Sequence, residues 1–380
     1  MENWIRIWML LLEFSAFAYL LIMLLISIGW YLTKVFIPAS ISGHTKVSVV
    51  VAVRNEAKNI KELLSSISQQ SYPKNLFELI VVDDNSEDTT LEIIGKFKLE
   101  NPTLNIRVIQ STGKGKKEAL KEGFEDLSSQ IIITTDGDCV VSNDWIFDYV
   151  TFFEKTKVQL VFGPVFYFNS KRLLEKIFSL EFATLVASGA GSSGINLPLM
   201  GNGANMAIRK SAYDRVKKNI GGDNFASGDD VFLMHSVASN FGNKAIKFIK
   251  NKNCIVETGS PKDINSFFNQ RIRWGSKAKA YTRVWPLTVS IIVFLFNSLL
   301  GFTAILSFFK LWFLAVFILF VIFKFLIDFP LARNYIRFYN RPLNSIYLLP
   351  LEFVYPFYIM FSALFSIFIP YQWKGRKMVK

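Results

Sequence analysis

Two aspartates, Asp136 and Asp138, are the residues whose spacing most clearly suits metal and phosphate chemistry. They flank Gly137 directly after the apolar run 131–133. Two unpaired carboxylates at the end of a buried strand would be costly to desolvate, so a cation is expected beside them. Mg²⁺ and Mn²⁺ prefer oxygen ligands, and Mg²⁺ commonly joins one or two carboxylates to substrate phosphates. An Asp-x-Asp alone is a weak signal, but its place after a strand predicts a site for a divalent metal and a nucleotide.

Two further segments carry groups suited to a nucleotide. Residues 83–86 (Asp-Asp-Asn-Ser) follow the apolar run 79–82, and their side chains could accept hydrogen bonds from a base or a ribose. The structural alternative is that Ser86 or Asp84 caps the helix that follows. Residues 113–117 (Gly-Lys-Gly-Lys-Lys) either offer cations and backbone N–H groups to phosphates or form a solvated loop.

A second acidic pair, Asp229 and Asp230, comes after Gly228 and before the apolar residues 231–233. A carboxylate can act as a general base if it lies within hydrogen-bond reach of an acceptor hydroxyl. Negative charge at a helix N-terminus is also favourable for structural reasons alone. The pair is therefore a candidate for catalysis or for helix stabilisation.

Gln270, Arg273 and Trp274 are spaced i, i+3 and i+4, which places them on one face of a helix whose other face is apolar. Arg273 could reach an anionic pyrophosphate, and Trp274 could stack on a sugar ring. The structural alternative is an interfacial helix with aromatic and basic anchors.

These groups need a scaffold, and the pattern of the chain from residue 45 to about residue 283 predicts one. The β-branched run 47–53 is followed by helical spacing over 55–70, and shorter apolar runs recur at 79–82, 106–109 and 131–133. Strands that alternate with helices indicate an α/β fold with a mainly parallel sheet covered on both faces. Ligands of such sheets bind outside the carboxyl ends of the strands, where both Asp-rich segments fall.

Apolar segments at both ends of the chain predict membrane helices. Residues 7–32 are nearly all apolar and long enough to span a bilayer, and 285–309, 311–329 and 345–370 follow near the C-terminus. The positive-inside rule places both the arginine-rich segment 333–341 and the basic tail in the cytoplasm. Both cannot hold if 345–370 crosses once, so the first part of that segment is expected to be interfacial or re-entrant, with a basic tail on the far side as the alternative.

The predicted organisation is an N-terminal anchor (1–44), a cytosolic domain (45–263), an amphipathic interfacial helix (264–284) and a C-terminal membrane region (285–380). The small-residue run 188–194 is typical of a mobile loop or a plain surface connection.

Composition excludes several classes of protein. The 380 residues are 51% hydrophobic and carry a net charge of +13, which excludes a disordered chain. Two cysteines and two histidines, far apart, argue against a disulfide framework or a zinc cluster. Many basic residues flank the apolar segments and lack an aromatic-interleaved motif, so no nucleic-acid partner is expected.

The motif series resembles that of membrane-bound inverting family-2 glycosyltransferases, and the most specific member is the Q-x-x-R-W sequence at 270–274. Relatives that share it include cellulose, chitin and hyaluronan synthases and ceramide glucosyltransferase-like enzymes. In chain order the matching segments are 51–56, 83–86, Lys114, 136–138, 228–230 and 270–274. The resemblance implies a GT-A fold and a nucleoside diphosphate sugar donor, most often linked to UDP.

The same resemblance implies roles for individual residues. The nucleoside end would be held by Val53, Glu56, Asp83 or Asp84, and Lys114. The ribose, and a Mg²⁺ or Mn²⁺ ion that bridges the pyrophosphate, would be held by Asp136 and Asp138.

On the acceptor side, Asp230 would deprotonate the acceptor hydroxyl, and Asp229 stands where the family more often has Glu. Gln270, Arg273 and Trp274 would steady the leaving diphosphate and frame the acceptor site.

We therefore expect an integral membrane enzyme, with its catalytic domain on the cytoplasmic side of a bacterial inner (plasma) membrane. The small number of predicted spans favours a lipid-linked or short glycan acceptor. Two alternatives stay open, a processive polysaccharide synthase of the same family and a non-catalytic membrane-anchored protein that binds nucleotide sugars.

Overall fold

The computed structural model describes residues 3–38, 44–169, 172–221, 229–277, 281, 283–368, 372–373 and 376–377. Its strands are β1 (Val47–Val53), β2 (Phe77–Asp83), β3 (Ile106–Gln110), β4 (Ile131–Asp136), β5 (Val140–Val141), β6 (Leu160–Phe162), β7 (Val165–Tyr167), β8 (Met206–Arg209), β9 (Ile246–Phe248), β10 (Val256–Thr258), β11 (Gln372–Trp373) and β12 (Arg376–Lys377). Its helices are α1 (Asn3–Leu32), α2 (Ile60–Ser68), α3 (Thr90–Glu100), α4 (Lys116–Gly123), α5 (Trp145–Lys155), α6 (Leu173–Gly194), α7 (Lys210–Val216), α8 (Asp229–Phe241), α9 (Ile264–Gly275), α10 (Val284–Leu306), α11 (Trp312–Phe338) and α12 (Leu348–Phe368).

The central sheet has the strand order β3-β2-β1-β4-β8-β6-β9. Strands β3, β2, β1 and β4 are mutually parallel, β8 is antiparallel to both of its neighbours, and β6 and β9 are parallel. A small second sheet has the order β5-β10-β7. The prediction of an α/β fold with a mainly parallel sheet is confirmed.

Strand β1 shows why the sequence folds this way. Its odd-numbered valines pack in the core cluster that contains Ile60 and Leu63 of α2, and Val50 packs in the cluster that contains Leu120 of α4. Because both faces of the sheet are covered, the strand is apolar except for Ser48 rather than alternating. The register pairs Val53 with Asp83 and Ala52 with Asp136, so the acidic strand ends lie at one edge of the sheet.

The helices after β1 and β2 begin later than the sequence predicts. Helix α2 begins at Ile60 and not near residue 55, because Asn55 lies in the left-handed region with φ 53°. Helix α3 has Thr89 as its N-cap residue, so neither Ser86 nor Asp84 caps it. The polar residues that end β2 are therefore engaged elsewhere, as described below.

The glycine-rich run 188–194 is not a loop, and the prediction of a mobile or surface connection is wrong. It forms the last two turns of α6, which cross α1 at very short range. A Cβ added at Gly191 would lie 2.2 Å from the carbonyl oxygen of Ile26, and one added at Gly29 would lie 1.9 Å from the carbonyl oxygen of Gly191. Small residues permit this close backbone approach, as they do between membrane helices.

We expect Gly191→Leu to separate α1 from α6 and to lower the free energy of unfolding by about 1–3 kcal/mol or more, because the added side chain meets backbone. Thermal unfolding of the detergent-solubilised protein should show a Tm several degrees below that of the wild type. The control is Gly95→Leu in α3, where a Cβ meets nothing within 4 Å. Equal Tm values for the two variants would contradict the close crossing.

Four helices are long and apolar enough to cross a membrane, at Asn3–Leu32, Val284–Leu306, Trp312–Phe338 and Ser345–Ser366. A buried ionic cluster ties three of them together. Lys324 donates to Asp328 at 2.7 Å and to Glu352 at 2.6 Å, and the hydroxyl of Tyr19 donates to Asp328 at 2.7 Å. Lys324 and Asp328 are four positions apart on α11, and Glu352 of α12 and Tyr19 of α1 extend their pair.

Residues before α12 and near its end contact elements outside the four apolar helices. Before it, Arg341 pairs with Glu257 of β10 at 2.6 Å. Near its end, Ser366 lies beside Gly275 of α9, where an added Cβ would be 3.4 Å from the Cβ of Ser366. Whether this segment crosses the membrane, and on which side the C-terminus lies, stay predictions.

Candidate active site

Asp136 and Asp138 lie in a tight turn at the end of β4. A Cβ added at Gly137 would lie 3.0 Å from both the Cγ of Glu56 and Cγ1 of Val53, so glycine lets the turn sit this close to the end of β1 without displacing these side chains. Glu56 is buried, with an exposed fraction of 5%, and accepts a hydrogen bond from Asn59 at 2.9 Å. The turn thus brings the predicted residues Val53, Glu56, Asp136 and Asp138 into one neighbourhood.

The donor set at this turn fits a hard divalent cation that is shared with a substrate. Among the described residues, no group of three or more His, Cys, Asp or Glu side chains is arranged to hold a metal by itself. Asp136 and Asp138 are both half-buried carboxylates. Mg²⁺ is typically bound by one or two carboxylates, with water and phosphate oxygens completing its shell. A pair of carboxylates therefore suits a metal that binds together with a diphosphate.

Asp83 is fully buried at the end of β2 and organises the turn that follows. Its Oδ2 accepts hydrogen bonds from the backbone N–H of Ser86 at 3.1 Å and from Nε2 of Gln110 at 3.0 Å, and its Oδ1 accepts one from the hydroxyl of Ser86. Such a network holds the carboxylate in one orientation.

Asp84 is also fully buried, and it fixes the lysine-rich segment. Its Oδ1 accepts a hydrogen bond from the backbone N–H of Gly115 at 3.1 Å, and its own N–H donates to the carbonyl of Val53 at 2.8 Å. Gly115 has φ 96°, a conformation that favours glycine. The end of β1, the end of β2 and the start of α4 are thereby joined.

The lysine that reaches the aspartates is Lys116, which sequence reasoning did not choose. The ammonium of Lys116 donates to the carboxylate of Asp136, whereas the predicted Lys114 is exposed. Lys116 is the first residue of α4, and that helix start turns its side chain toward β4. The segment 113–117 was a signal for a cation here, but the choice among its three lysines depends on where the helix begins.

Asp230 lies near the start of α8 and is held by three groups. Its carboxylate accepts hydrogen bonds from the backbone N–H of Gly203 at 3.1 Å, from its neighbour Val231 at 2.8 Å and from the ammonium of Lys277 at 3.2 Å. The side chain of Asp229 lies outside the part of the chain that the structure describes.

The electrostatics of Asp230 keep it ionised. Burial alone would raise the pKa of its carboxyl, but the ammonium groups of Lys277 and Lys116 and two backbone N–H donors outweigh burial and lower it. Lys116 also contacts Asp136, so its charge acts on both carboxylates. Lys277 is 47 positions away in sequence and carries no local motif, so sequence reasoning could not have found it.

Helix α9 carries the Q-x-x-R-W residues, whose expected roles stay predictions. Gln270 accepts hydrogen bonds from the hydroxyl of Tyr167 at 2.9 Å and from Arg271 at 2.6 Å. Arg273 and Trp274 are half-buried, and Trp274 lies 5.8 Å from the ring of Phe182. The buried arginine is Arg271, which sequence reasoning passed over.

Arg271 ties α9 to α6 and α12. Its guanidinium pairs with Glu181 of α6, and Glu181 also accepts a hydrogen bond from the hydroxyl of Tyr358 of α12 at 3.3 Å. The guanidinium lies over the ring of Trp274 at 4.3 Å. This buried pair therefore sets where Trp274 is held.

Removing one partner of this pair should be strongly destabilising. We expect Arg271→Met to cost about 3–5 kcal/mol, because Glu181 is left buried and uncompensated. The double variant Glu181→Leu with Arg271→Met should recover most of that loss, since neither charge remains. Thermal unfolding measures both, with Lys96→Met at the exposed Lys96–Glu100 pair as the control that stays within about 1 kcal/mol. A double variant no more stable than Arg271→Met would contradict this account of the pair.

A cavity of about 550 Å³ opens between α6, α9, α10 and α12 and reaches Asp230, Trp274 and Lys277. Ligand sites in proteins are typically concave, mostly apolar and of this size, with a few converging polar groups. The cavity places the acidic residue of α8 and the aromatic residue of α9 at one opening.

Comparison with known proteins identifies the domain. Residues 48–216 match the model of glycosyl transferase family 2. Glycosyltransferase AglE of Haloferax volcanii is 38% identical over 119 residues, which are 31% of this chain and 39% of that protein. Poly-beta-1,6-N-acetyl-D-glucosamine synthase of Staphylococcus epidermidis is 26% identical over 269 residues, 68% of this chain and 62% of that protein. The chain thus spans less than two thirds of the length of each of these relatives.

The fold has a counterpart among solved structures. The mannosyltransferase PcManGT from Pyrobaculum calidifontis, solved in complex with GDP-Man and Mn²⁺, superposes with a TM-score of 0.67 at 18% sequence identity. The alignment covers 96% of this chain and 98% of that one, so the similarity includes the apolar helices. The chain therefore carries, at residues 48–216, a glycosyl transferase family 2 domain of GT-A fold, as its motifs predict.

Proposed function

We propose that this protein is an inverting glycosyltransferase that moves a sugar from a nucleoside diphosphate sugar, a UDP-sugar in the first instance, to a hydroxyl of a lipid-linked or glycan acceptor. The observation that carries the proposal is the position of Lys116, which contacts Asp136 and lowers the pKa of Asp230. The charge of Lys116 therefore acts both on a carboxylate suited to a metal and diphosphate and on a second, ionised carboxylate. Transfer between a donor and an acceptor needs these two functions side by side.

On the donor side, the buried end of the sheet would receive the nucleoside. The residues assigned to this part are Val53, Glu56, Asp83, Asp84 and Lys114. Asp136 would bind the ribose, and Asp136 with Asp138 would hold Mg²⁺ or Mn²⁺. The ion would act as a Lewis acid on the leaving diphosphate.

On the acceptor side, Asp230 would take the proton. The acceptor oxygen attacks the anomeric carbon from the face opposite the diphosphate, and the bond from that carbon to the phosphate oxygen breaks with its electron pair on the diphosphate. Because its pKa is lowered, Asp230 is a carboxylate at neutral pH and ready to accept the proton. Gln270, Arg273 and Trp274 would border the leaving group and the acceptor, and Asp229 would stand beside Asp230.

We place the reaction at the cytosolic face of a plasma membrane. Four helices long enough to span a bilayer support this placement, together with the arginines at the end of α11, which the positive-inside rule assigns to the cytosol. A processive synthase is the second candidate, favoured by the relationship to the Staphylococcus epidermidis synthase. The length of the labelled product on a gel separates one added sugar from a polymer.

A screen of donors tests the proposal. Purified full-length protein in lipid nanodiscs, supplied with membrane lipids, should release nucleoside diphosphate from one sugar nucleotide only when Mg²⁺ or Mn²⁺ is present, and EDTA should stop the release. Tight binding of a sugar nucleotide without any release, with every donor and either metal, would instead support a non-catalytic binding protein.

A further inference from the structure

The cavity that reaches Asp230 is built on one side by helices that are candidates for membrane spans. Its apolar wall includes Leu185, Met200, Val293, Phe294 and Ile359, from α6, α10 and α12 and from the chain after α6. The hydroxyl groups of a sugar polymer would find no hydrogen-bond partners among these side chains. A hydrocarbon chain would instead bury their apolar surface favourably.

The cavity also opens where a bilayer would lie. Ile291 and Phe294 of α10 both line it, and their exposed fractions are 54% and 37%. Both belong to Val284–Leu306, one of the four candidate spans. A hydrocarbon chain could therefore enter sideways from the membrane without leaving an apolar environment.

The polar groups of the cavity lie where the reaction is proposed. Asp230 pairs with Lys277, and Glu181 pairs with Arg271. Each of these two carboxylates in the cavity wall is therefore neutralised by its own cation. A hydroxyl can donate to Asp230 without disturbing either pair. The geometry therefore suits an uncharged hydroxyl next to Asp230 with an apolar chain behind it.

We propose that the acceptor is a membrane lipid whose hydrocarbon chain occupies the cavity between α6, α9, α10 and α12, and whose hydroxyl, on the lipid or on a sugar it carries, lies at Asp230. The inference rests on the proposed function and assigns the acceptor class within it. In the step, the oxygen of that hydroxyl bonds to the anomeric carbon, its proton passes to Asp230, and the nucleoside diphosphate leaves with the electron pair of the broken bond.

The test uses the wild-type protein in nanodiscs made from a total lipid extract of its source cells, with a radiolabelled sugar nucleotide. Label should move into the butanol-extractable fraction as diphosphate is released. Pretreating the extract with mild acid removes glycans linked to lipid through a phosphate. If acceptor activity is then lost, the acceptor is such a phosphate-linked glycolipid; if it is retained, the acceptor is a neutral lipid. Diphosphate release with label only in water-soluble or polymeric product overturns the lipid acceptor and leaves the proposed function intact; no release from any donor overturns both.

Variants that fill the cavity locate the chain. Val293→Trp on α10 and Ala363→Trp on α12 should each lower label transfer to lipid at least tenfold. The control is Ile322→Trp on α11, which is 43% exposed and does not line the cavity, and it should match the wild type. Transfer by both cavity variants at the rate of the control would overturn the assignment.

A measurement on the wild type alone guards against misfolded variants. Straight-chain alcohols should compete with the acceptor, and inhibition should strengthen about threefold to fourfold for each added methylene from butanol to octanol, as expected for burial of a CH₂ group. Inhibition independent of chain length would contradict a hydrocarbon-binding cavity.

Discussion

Asp230→Asn should lower the rate of sugar transfer by roughly 10²–10⁴-fold while leaving the affinity for the donor unchanged. The amide has the shape of the carboxylate, and its one oxygen can still accept a hydrogen bond from either Gly203 or Val231, which donate to different oxygens of Asp230. It cannot take a proton from the acceptor hydroxyl. The turnover number for diphosphate release in the presence of membrane lipids measures the first effect. Calorimetric titration with the donor nucleotide and Mn²⁺ measures the second.

The matched control for Asp230→Asn is Asp214→Asn in α7. Asp214 is half exposed and pairs with Lys210 and Lys217 at the surface. Its replacement should change turnover by less than a factor of two, because exposed ion pairs contribute little. Transfer by Asp230→Asn at the rate of this control, with an unchanged Tm, would mean that another group accepts the proton.

Asp138→Ala should abolish the metal dependence of donor binding and lower turnover by about two orders of magnitude or more. In the structure Asp136 is already engaged by Lys116, so the loss of Asp138 leaves a single, paired carboxylate to hold the ion. Titration of the Asp138→Ala variant with the nucleoside diphosphate should give the same Kd in the presence of Mn²⁺ as in the presence of EDTA.

Asp144→Asn is the control for the metal site. Asp144 lies six positions further along the chain and accepts a hydrogen bond from the hydroxyl of Ser71, away from the turn after β4. It should keep the tighter binding that Mn²⁺ gives the wild type. Retention of that effect by Asp138→Ala would contradict the assignment of the metal to this turn.

The sheet and its acidic edge were predictable because both follow from local patterns. Apolar runs such as 47–53 are long enough to be strands, and a parallel sheet brings their carboxyl ends together, so the proximity of Asp83 and Asp136 follows from topology. The Q-x-x-R-W helix was equally visible from its spacing.

Other features depend on geometry that no local pattern encodes. Lys116 lies beside Asp136 because α4 begins at residue 116, and helix boundaries are the features that a sequence pattern predicts least well. Lys277 meets Asp230 only through tertiary packing. The run 188–194 has the composition of a loop, yet its glycines serve the close crossing of α6 and α1, an example of packing overriding propensity.

The configuration of the new glycosidic bond tests the central claim most directly. The product made by the purified protein from its preferred sugar nucleotide can be examined by proton NMR, where the coupling constant of the anomeric proton reports the configuration. A single in-line displacement with Asp230 as the base predicts the configuration opposite to that of the sugar in the donor. A product that retains the donor's configuration would contradict the account.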